Sequence, residues 1–311
     1  MRTPLRPAPA RRTLAVGVVC ACLVTACANP DDGAEGSVGQ HTQDLLSGVV
    51  RDPAIAAMVP ADLARRGSIT AAVNPSSPPV KFIDGNGRIT GFTPQLVSAA
   101  GKMMGLDVTM QQTSFDALIP GLEAGRFDVI LSINDLASRR EKTDFIDYLQ
   151  TGTAILGSAK LPQDKLTPET LCGLSVGYVR GNVQQNLVAA ASRTCVKAGG
   201  KPVSGSAFQD INAAILAVQS GQMDTAWGDA PSISYNAEKN PTGYKVLYRE
   251  ISGPYGVGVN KQQHALRDAL RAALVKCVRE GIYRRLLEDY GLTDYTLAEM
   301  PLNTGPADDS E

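Results

Sequence analysis

Residues 127–145 read FDVILSINDLASRREKTDF. The first half has the pattern of a buried strand. Phe127, Val129, Ile130, Leu131 and Ile133 form a short apolar run directly after Gly125. The run passes into Ser132, Asn134 and Asp135. Ser138 followed three residues later by Glu141 reads as a capping box, which puts Arg139 and Arg140 in the first turn of a helix. The helix macrodipole disfavours cations there. A solvated charge run accounts for this pair, and so does a pair kept for an anionic ligand. Composition alone favours the solvated charge run.

Working backwards, the same alternation continues. Ser68–Val73 is a strand, and 82–89 is a hairpin turning at Asp84-Gly85-Asn86-Gly87. Thr93 and Pro94 read as the cap and first position of a helix whose apolar face carries Leu96, Val97, Ala100, Met103 and Met104, with Gly105 as its stop. Val108–Gln112 is a strand, and Ser114 opens a second helix that Gly125 ends. This is a βαβαβ unit, the pattern of a parallel sheet covered by helices.

Working forwards, the plan repeats. Strands are expected at 153–158, 174–179, 202–204, 223–228, 245–248 and 255–259. Helices are expected at 183–198, 210–220, 230–238, 265–280 and 282–290, several of them stopped by glycine. The fold class expected is α/β with two lobes of similar local plan. Open sheets of this kind bind ligands at strand ends, and a cleft between the lobes is the expected site.

The N-terminus reads differently. Arg2, Arg6, Arg11 and Arg12 precede a short apolar run, Leu14–Val24, too short to span a bilayer comfortably. This is an export signal. Its end, Val24-Thr25-Ala26-Cys27, resembles a bacterial lipobox, which implies cleavage before Cys27, acylation of that thiol and a lipid anchor. An ordinary signal with an incidental cysteine remains the alternative. Arg11-Arg12 leaves the export route open between the general and twin-arginine systems. Residues 29–43 are rich in Gly, Asp, Ser and Ala and read as a tether.

The chain has 311 residues, with 30 basic and 31 acidic side chains. That balance argues against a nucleic-acid partner. His41 and His264 are the only histidines, both in polar surroundings, so a histidine-based triad has little support. No spacing suggests a metal site, and no cofactor is expected. Cys277 sits among Leu274, Val278 and Ile282 on a helix and reads as a buried free thiol.

Several phrases, in order, carry a resemblance. They are Ile89-Thr90-Gly91-Phe92, Phe115 to Leu122, Gly125 to Ile130, Arg139 to Phe145, Val176 to Gly181, Gly221 to Pro231 and Pro254 to Val259. From about Ser68 to Leu292 the chain resembles the extracytoplasmic solute-binding proteins of polar amino-acid ABC transporters, the bacterial solute-binding protein family 3. The resemblance implies a type II periplasmic-binding-protein-like fold. The expected domains are a signal peptide at 1–26, a lipidated tether at 27–66, lobe 1 at 67–156 plus 255–300, lobe 2 at 157–254 and a flexible tail at 301–311.

The implied ligand is an amino acid or related zwitterion. Arg139 corresponds to the arginine that holds the α-carboxylate, a task its planar fork suits. Asp229 corresponds to the carboxylate that pairs with the α-amino group. Backbone amides of Gly181, Asn182 and Val183, at a helix start, could add anion donors. Where relatives carry Gly-Met-Thr, this chain has Ser132-Ile133-Asn134, so Ser132 and Asn134 join the candidate set. The aromatics that usually flank a Pro-Pro pair are missing from Ser77-Pro78-Pro79-Val80, and Phe82 or Phe115 could substitute. Asp135 either meets a cationic ligand group or orients Arg139, and orientation is the preferred reading. Trp227 either lines the cleft or fills a core. Some relatives have cysteines at the places of Cys172 and Cys195, which implies a disulfide. The implied partner is a membrane permease, and the protein is expected to act as a monomer. An amino-acid-like dehydratase on the same scaffold, with Asp135 or Glu141 as its acid or base, and a ligand-sensing protein stay open as alternatives.

Overall fold

The computed structural model describes residues 46–307. The signal peptide, Cys27 and His41 lie outside the described residues. Eight strands form one mixed sheet. They are β1 (Ser68–Val73), β4 (Asp107–Gln112), β5 (Val129–Asn134), β6 (Thr143–Ser158), β7 (Ser175–Val179), β8 (Ser204–Phe208), β9 (Thr225–Asp229) and β10 (Tyr244–Asn260). A separate hairpin pairs β2 (Phe82–Ile83) with β3 (Ile89–Thr90).

The order across the sheet is β4-β1-β5-β10-β6-β9-β7-β8. The outer strands are parallel within each half, as the alternating pattern implies. The centre differs. β6 and β10 are long antiparallel partners, of 16 and 17 residues, that run through both halves. The short strands expected at 153–158, 245–248 and 255–259 are segments of these two. Their ladder shifts register between Ile251 and Pro254. Gly152 sits opposite with φ 151°, and a Cβ there would lie 2.0 Å from the Glu250 carbonyl oxygen, so only glycine fits the crossing.

Helices cover the first half of the sheet. They are α1 (Pro53–Ala56), α2 (Ala61–Arg66), α3 (Phe92–Met104), α4 (Leu118–Glu123), α8 (His264–Arg279) and α9 (Ile282–Asp289). The second half carries α5 (Gln184–Lys197), α6 (Ile211–Gln219) and α7 (Ala230–Lys239). Gly105 caps α3 in the left-handed conformation, as its position predicts. The start of α3 is different from expectation. Gly91 is its cap residue, and the Thr93 hydroxyl turns inward to Tyr148 Oη at 2.7 Å.

Two boundary expectations are corrected. Residues 46–66 are not tether: Ile55, Val59 and Leu63 are buried in the first half's core, and Asp52 pairs with Lys276. Residues 301–307 are not a loose tail. Thr304 donates its amide and hydroxyl to Asp147 Oδ2 at 2.8 and 2.7 Å, and the Gly305 amide donates to Asp135 Oδ2 at 2.7 Å. Polar composition suggested disorder, but buried carboxylates hold this segment.

In the second half Cys172 and Cys195 form a disulfide. It joins a core of Ile155, Leu171, Val176, Val188 and Trp227. Cys277 is a buried free thiol, and burial pushes its pKa up to about 12.

Candidate functional site

The stretch at 127–145 ends β5, makes a tight turn and enters β6. The turn is a 3-10 helix, Ala137–Glu141, with Leu136 at its cap position and no side-chain cap bond. The capping-box expectation is therefore corrected, and Arg139 and Arg140 fall in its last turn. They point to different work. Arg139 donates to the Asn134 carbonyl at 3.0 Å and to the Gly181 carbonyl at 3.2 Å, and its guanidinium lies 5.5 Å from the Phe115 ring centre. Arg140 pairs with Asp135 at 2.6 Å. Asp135 is almost fully buried and bonds Arg140 and the C-terminal strap.

Asp229 ends β9 and is mostly buried. Its carboxylate accepts from Asn182 Nδ2 at 3.2 Å, from Gln184 Nε2 at 3.0 Å and from the Tyr255 hydroxyl. Burial and the Asp229 charge raise the Tyr255 phenol well above its usual range, so it stays a donor. Gln184 and Tyr255 were not singled out from the sequence. They are a helix residue and a strand residue far from Asp229 in the chain, and only the fold brings them together.

The turn at 181–183 is compact. Gly181 adopts φ 76°. Its amide donates to Gln185 Oε1 at 3.0 Å, that of Asn182 to the Val179 carbonyl at 3.1 Å, and that of Val183 to Asn182 Oδ1 at 2.8 Å. The expectation of amides open to an anion is corrected for this conformation, because each already has a protein acceptor. Asn182 contributes through its side chain instead.

Phe115 lines the interlobe cavity with Asn182 and Asp229. Phe82 does not; it lies on the β2–β3 hairpin, packed on the core. Ser132 has φ 56° and is fully buried, with its hydroxyl in a network with Thr93 and Tyr148. Its carbonyl accepts from Lys81 Nζ at 3.3 Å. Asn134 is buried, and its carbonyl holds Arg139. Trp227 is 1% exposed, donates to Thr153 and packs edge-on to Tyr248; it belongs to the second half's core and also borders a pocket that Asn134 and Val183 line.

One cleft residue was missed altogether. Lys81 is 2% exposed and lines the cavity. A tight turn puts it there: Ser77 and Lys81 exchange backbone bonds at 2.8 and 3.0 Å. The first amides of α3 grip that turn, Phe92 to the Pro79 carbonyl at 3.1 Å and Thr93 to the Val80 carbonyl at 3.0 Å. Gly91 permits this approach, since a Cβ there would lie 2.7 Å from the Val80 oxygen. A lysine beside Pro-Pro reads as surface polarity in a sequence, which is why it passed unnoticed.

The cavity bounded by Asn74, Ser76, Lys81, Phe115, Asn182 and Asp229 has a volume of about 10 Å3, room for roughly one water. Among the described residues, no group of His, Cys, Asp and Glu is arranged to hold a metal ion. No described helix is long and apolar enough to cross a membrane.

Comparison with known proteins gives a consistent answer. Residues 69–293 match the family model of bacterial extracellular solute-binding proteins, family 3. The arginine-binding protein ArgT of Corynebacterium glutamicum is 31% identical over 272 residues, which cover 86% of this chain and 89% of that one. The solved structure of an ancestral arginine-binding protein bound to arginine is similar at a TM-score of 0.65 and 27% identity, covering 72% of this chain and 98% of that one. An ancestral amino acid-binding protein, AncCDT-1, described as a precursor of cyclohexadienyl dehydratase, gives a TM-score of 0.66 at 25% identity, covering 74% and 97%. The chain belongs to the bacterial extracellular solute-binding proteins, family 3.

Proposed function

We propose that this protein is the substrate-binding component of an ABC importer, that it closes on an amino acid or a related small zwitterion, and that it delivers this ligand to a membrane permease. One observation carries the reading. A cationic fork, Arg139, reaches across to the Gly181 carbonyl, and the neighbouring Asn182 holds the Asp229 carboxylate. The two ends of a zwitterion need those two charges. Similarity to an arginine-binding protein agrees with an amino-acid ligand.

In this reading lobe 1 comprises 67–156 with 255–300, together with the segments 46–66 and 301–307 that pack on it, lobe 2 comprises 157–254, and closure bends β6 and β10 near Gly152 and Gly253. Cys27 is acylated and anchors the monomeric protein at the extracytoplasmic face of the membrane. Binding is the activity rather than turnover. Of the two carboxylates considered as a dehydratase acid or base, Asp135 is committed to Arg140 and Glu141 is exposed to solvent.

The test is a thermal melt of the protein against a panel of amino acids, followed by chemical analysis of the ligand after incubation. A ligand at a hundred times its Kd stabilises by about 2.7 kcal/mol. The expected result is a shift for one group of amino acids, lost in Arg139→Ala, with the ligand recovered unchanged. No shift with any zwitterion overturns the reading, and recovery of a dehydrated product supports the enzyme instead.

A further inference from the structure

Lys81 is the cleft residue that the zwitterion clamp does not use. Its ammonium is buried, yet its hydrogen bond among the described residues is a single 3.3 Å contact to the Ser132 carbonyl. Two aromatic faces flank it, Phe115 at 5.6 Å and Tyr255 at 6.0 Å. A buried ammonium with one weak acceptor is costly unless something else meets it. Asp229 attracts it, but among the described residues no hydrogen bond joins the two.

Counting charges gives the direction. Among the described residues at this cavity the charged groups are two cations, Lys81 and the neighbouring Arg139, and one anion, Asp229. An α-carboxylate answers Arg139, and an α-ammonium answers Asp229. One positive charge is left over, at Lys81. Resting on the amino-acid reading above, we propose that Lys81 is a specificity-determining residue that selects a ligand with an anionic side chain, an acidic amino acid, and rejects the cationic side chain of an arginine-type ligand. Like charges brought together in a water-excluded site repel strongly, which disfavours a cationic side chain beside Lys81. Burial lowers the Lys81 pKa to about 8, which leaves it mostly protonated at neutral pH and able to act as a cation.

The experiment is calorimetric titration of the full-length chain, purified in mild detergent, with glutamate, aspartate, glutamine, asparagine, arginine and lysine. It is repeated on Lys81→Met, which keeps length and removes charge, and on Lys81→Gln should the methionine variant melt abnormally. The expected result is an acidic ligand bound at least about tenfold more tightly than its amide or any basic amino acid. Lys81→Met should then lose roughly thirtyfold or more for the acidic ligand while its amide changes far less. Wild-type preference for arginine, lysine or an amide overturns this inference alone. Equal loss for all ligands in Lys81→Met also overturns it, since that pattern marks a structural role. Failure to bind any of the six overturns the amino-acid reading together with it.

Discussion

Arg139 Nη2 donates to the Gly181 carbonyl at 3.2 Å, so the turn between β5 and β6 bonds directly to the turn before α5 in the other half of the sheet. A ligand carboxylate that takes the guanidinium fork competes with that contact. Arg139→Lys keeps the charge but loses the planar fork. Expected is a Kd at least about tenfold weaker, with unliganded stability changed by under ~1 kcal/mol because two hydrogen bonds to carbonyls are replaced in part by water. Calorimetry and a melt of the same sample check both halves.

Tyr255 is the strand residue that fixes Asp229 from the other half of the sheet. Tyr255→Phe removes one donor to a buried carboxylate and leaves the ring packing intact. Hydrogen bonds to charged groups are worth about 1.5–3 kcal/mol. The variant should lose that much in denaturant-measured stability and bind its ligand more weakly. Unchanged stability would show that Asn182 and Gln184 suffice to hold Asp229.

Much of this arrangement was readable in advance, for physical reasons. Apolar runs such as Val129–Ile133 are buried on both faces, and glycine stops such as Gly105 need a left-handed backbone, so strands and helix ends leave marks in the sequence. Arg139 and Asp229 stood in phrases that carry the family likeness. What was not readable depends on the third dimension. β6 and β10 cross between halves, so their pattern breaks at Gly152 and at Ser252-Gly253-Pro254 and looks like several short strands. Gln184, Tyr255 and Lys81 meet the cleft from separate elements. The segment 301–307 looks disordered because its anchors, Asp135 and Asp147, are far upstream.

Lys81 should cost stability while it serves selection. Its folded pKa lies below its unfolded value, so stability present at high pH is lost as pH falls through about 8. Lys81→Met avoids that loss. Expected is a gain in unliganded stability of about 2–3 kcal/mol at pH 7, shrinking as pH rises towards 10. Urea titrations at pH 7 and pH 10 measure it, and an equal effect at both would refute the charge-burial account.

The disulfide belongs to the second half's core. Cys172 and Cys195 are separated by 23 positions. A loop of that order contributes about 3 kcal/mol in the chain-entropy model. Reduction should lower the Tm by roughly 6–12 °C while leaving ligand affinity nearly unchanged. A loss of affinity at a temperature where the reduced protein is folded would tie this core to the site.

The C-terminal strap rests on a pair of carboxyl groups. Asp147 is buried, and burial together with the nearby Asp135 charge raises its pKa to about 7. Desolvation is the larger cause and the Asp135 charge the second. The sign follows from linkage. A raised folded pKa means that the native state holds a proton the unfolded chain has released, so stability is full below about pH 4 and declines as pH rises towards neutrality. Asp147→Asn supplies a permanent neutral partner. It should flatten this decline and add about 1–2 kcal/mol at pH 8. The Thr304 donors, which favour the charged form, oppose that gain, so Thr304→Ala should steepen the decline in the wild-type background. Melts from pH 5 to pH 8 separate the cases. Parallel pH curves for wild type and Asp147→Asn would mean that the pair does not hold a proton.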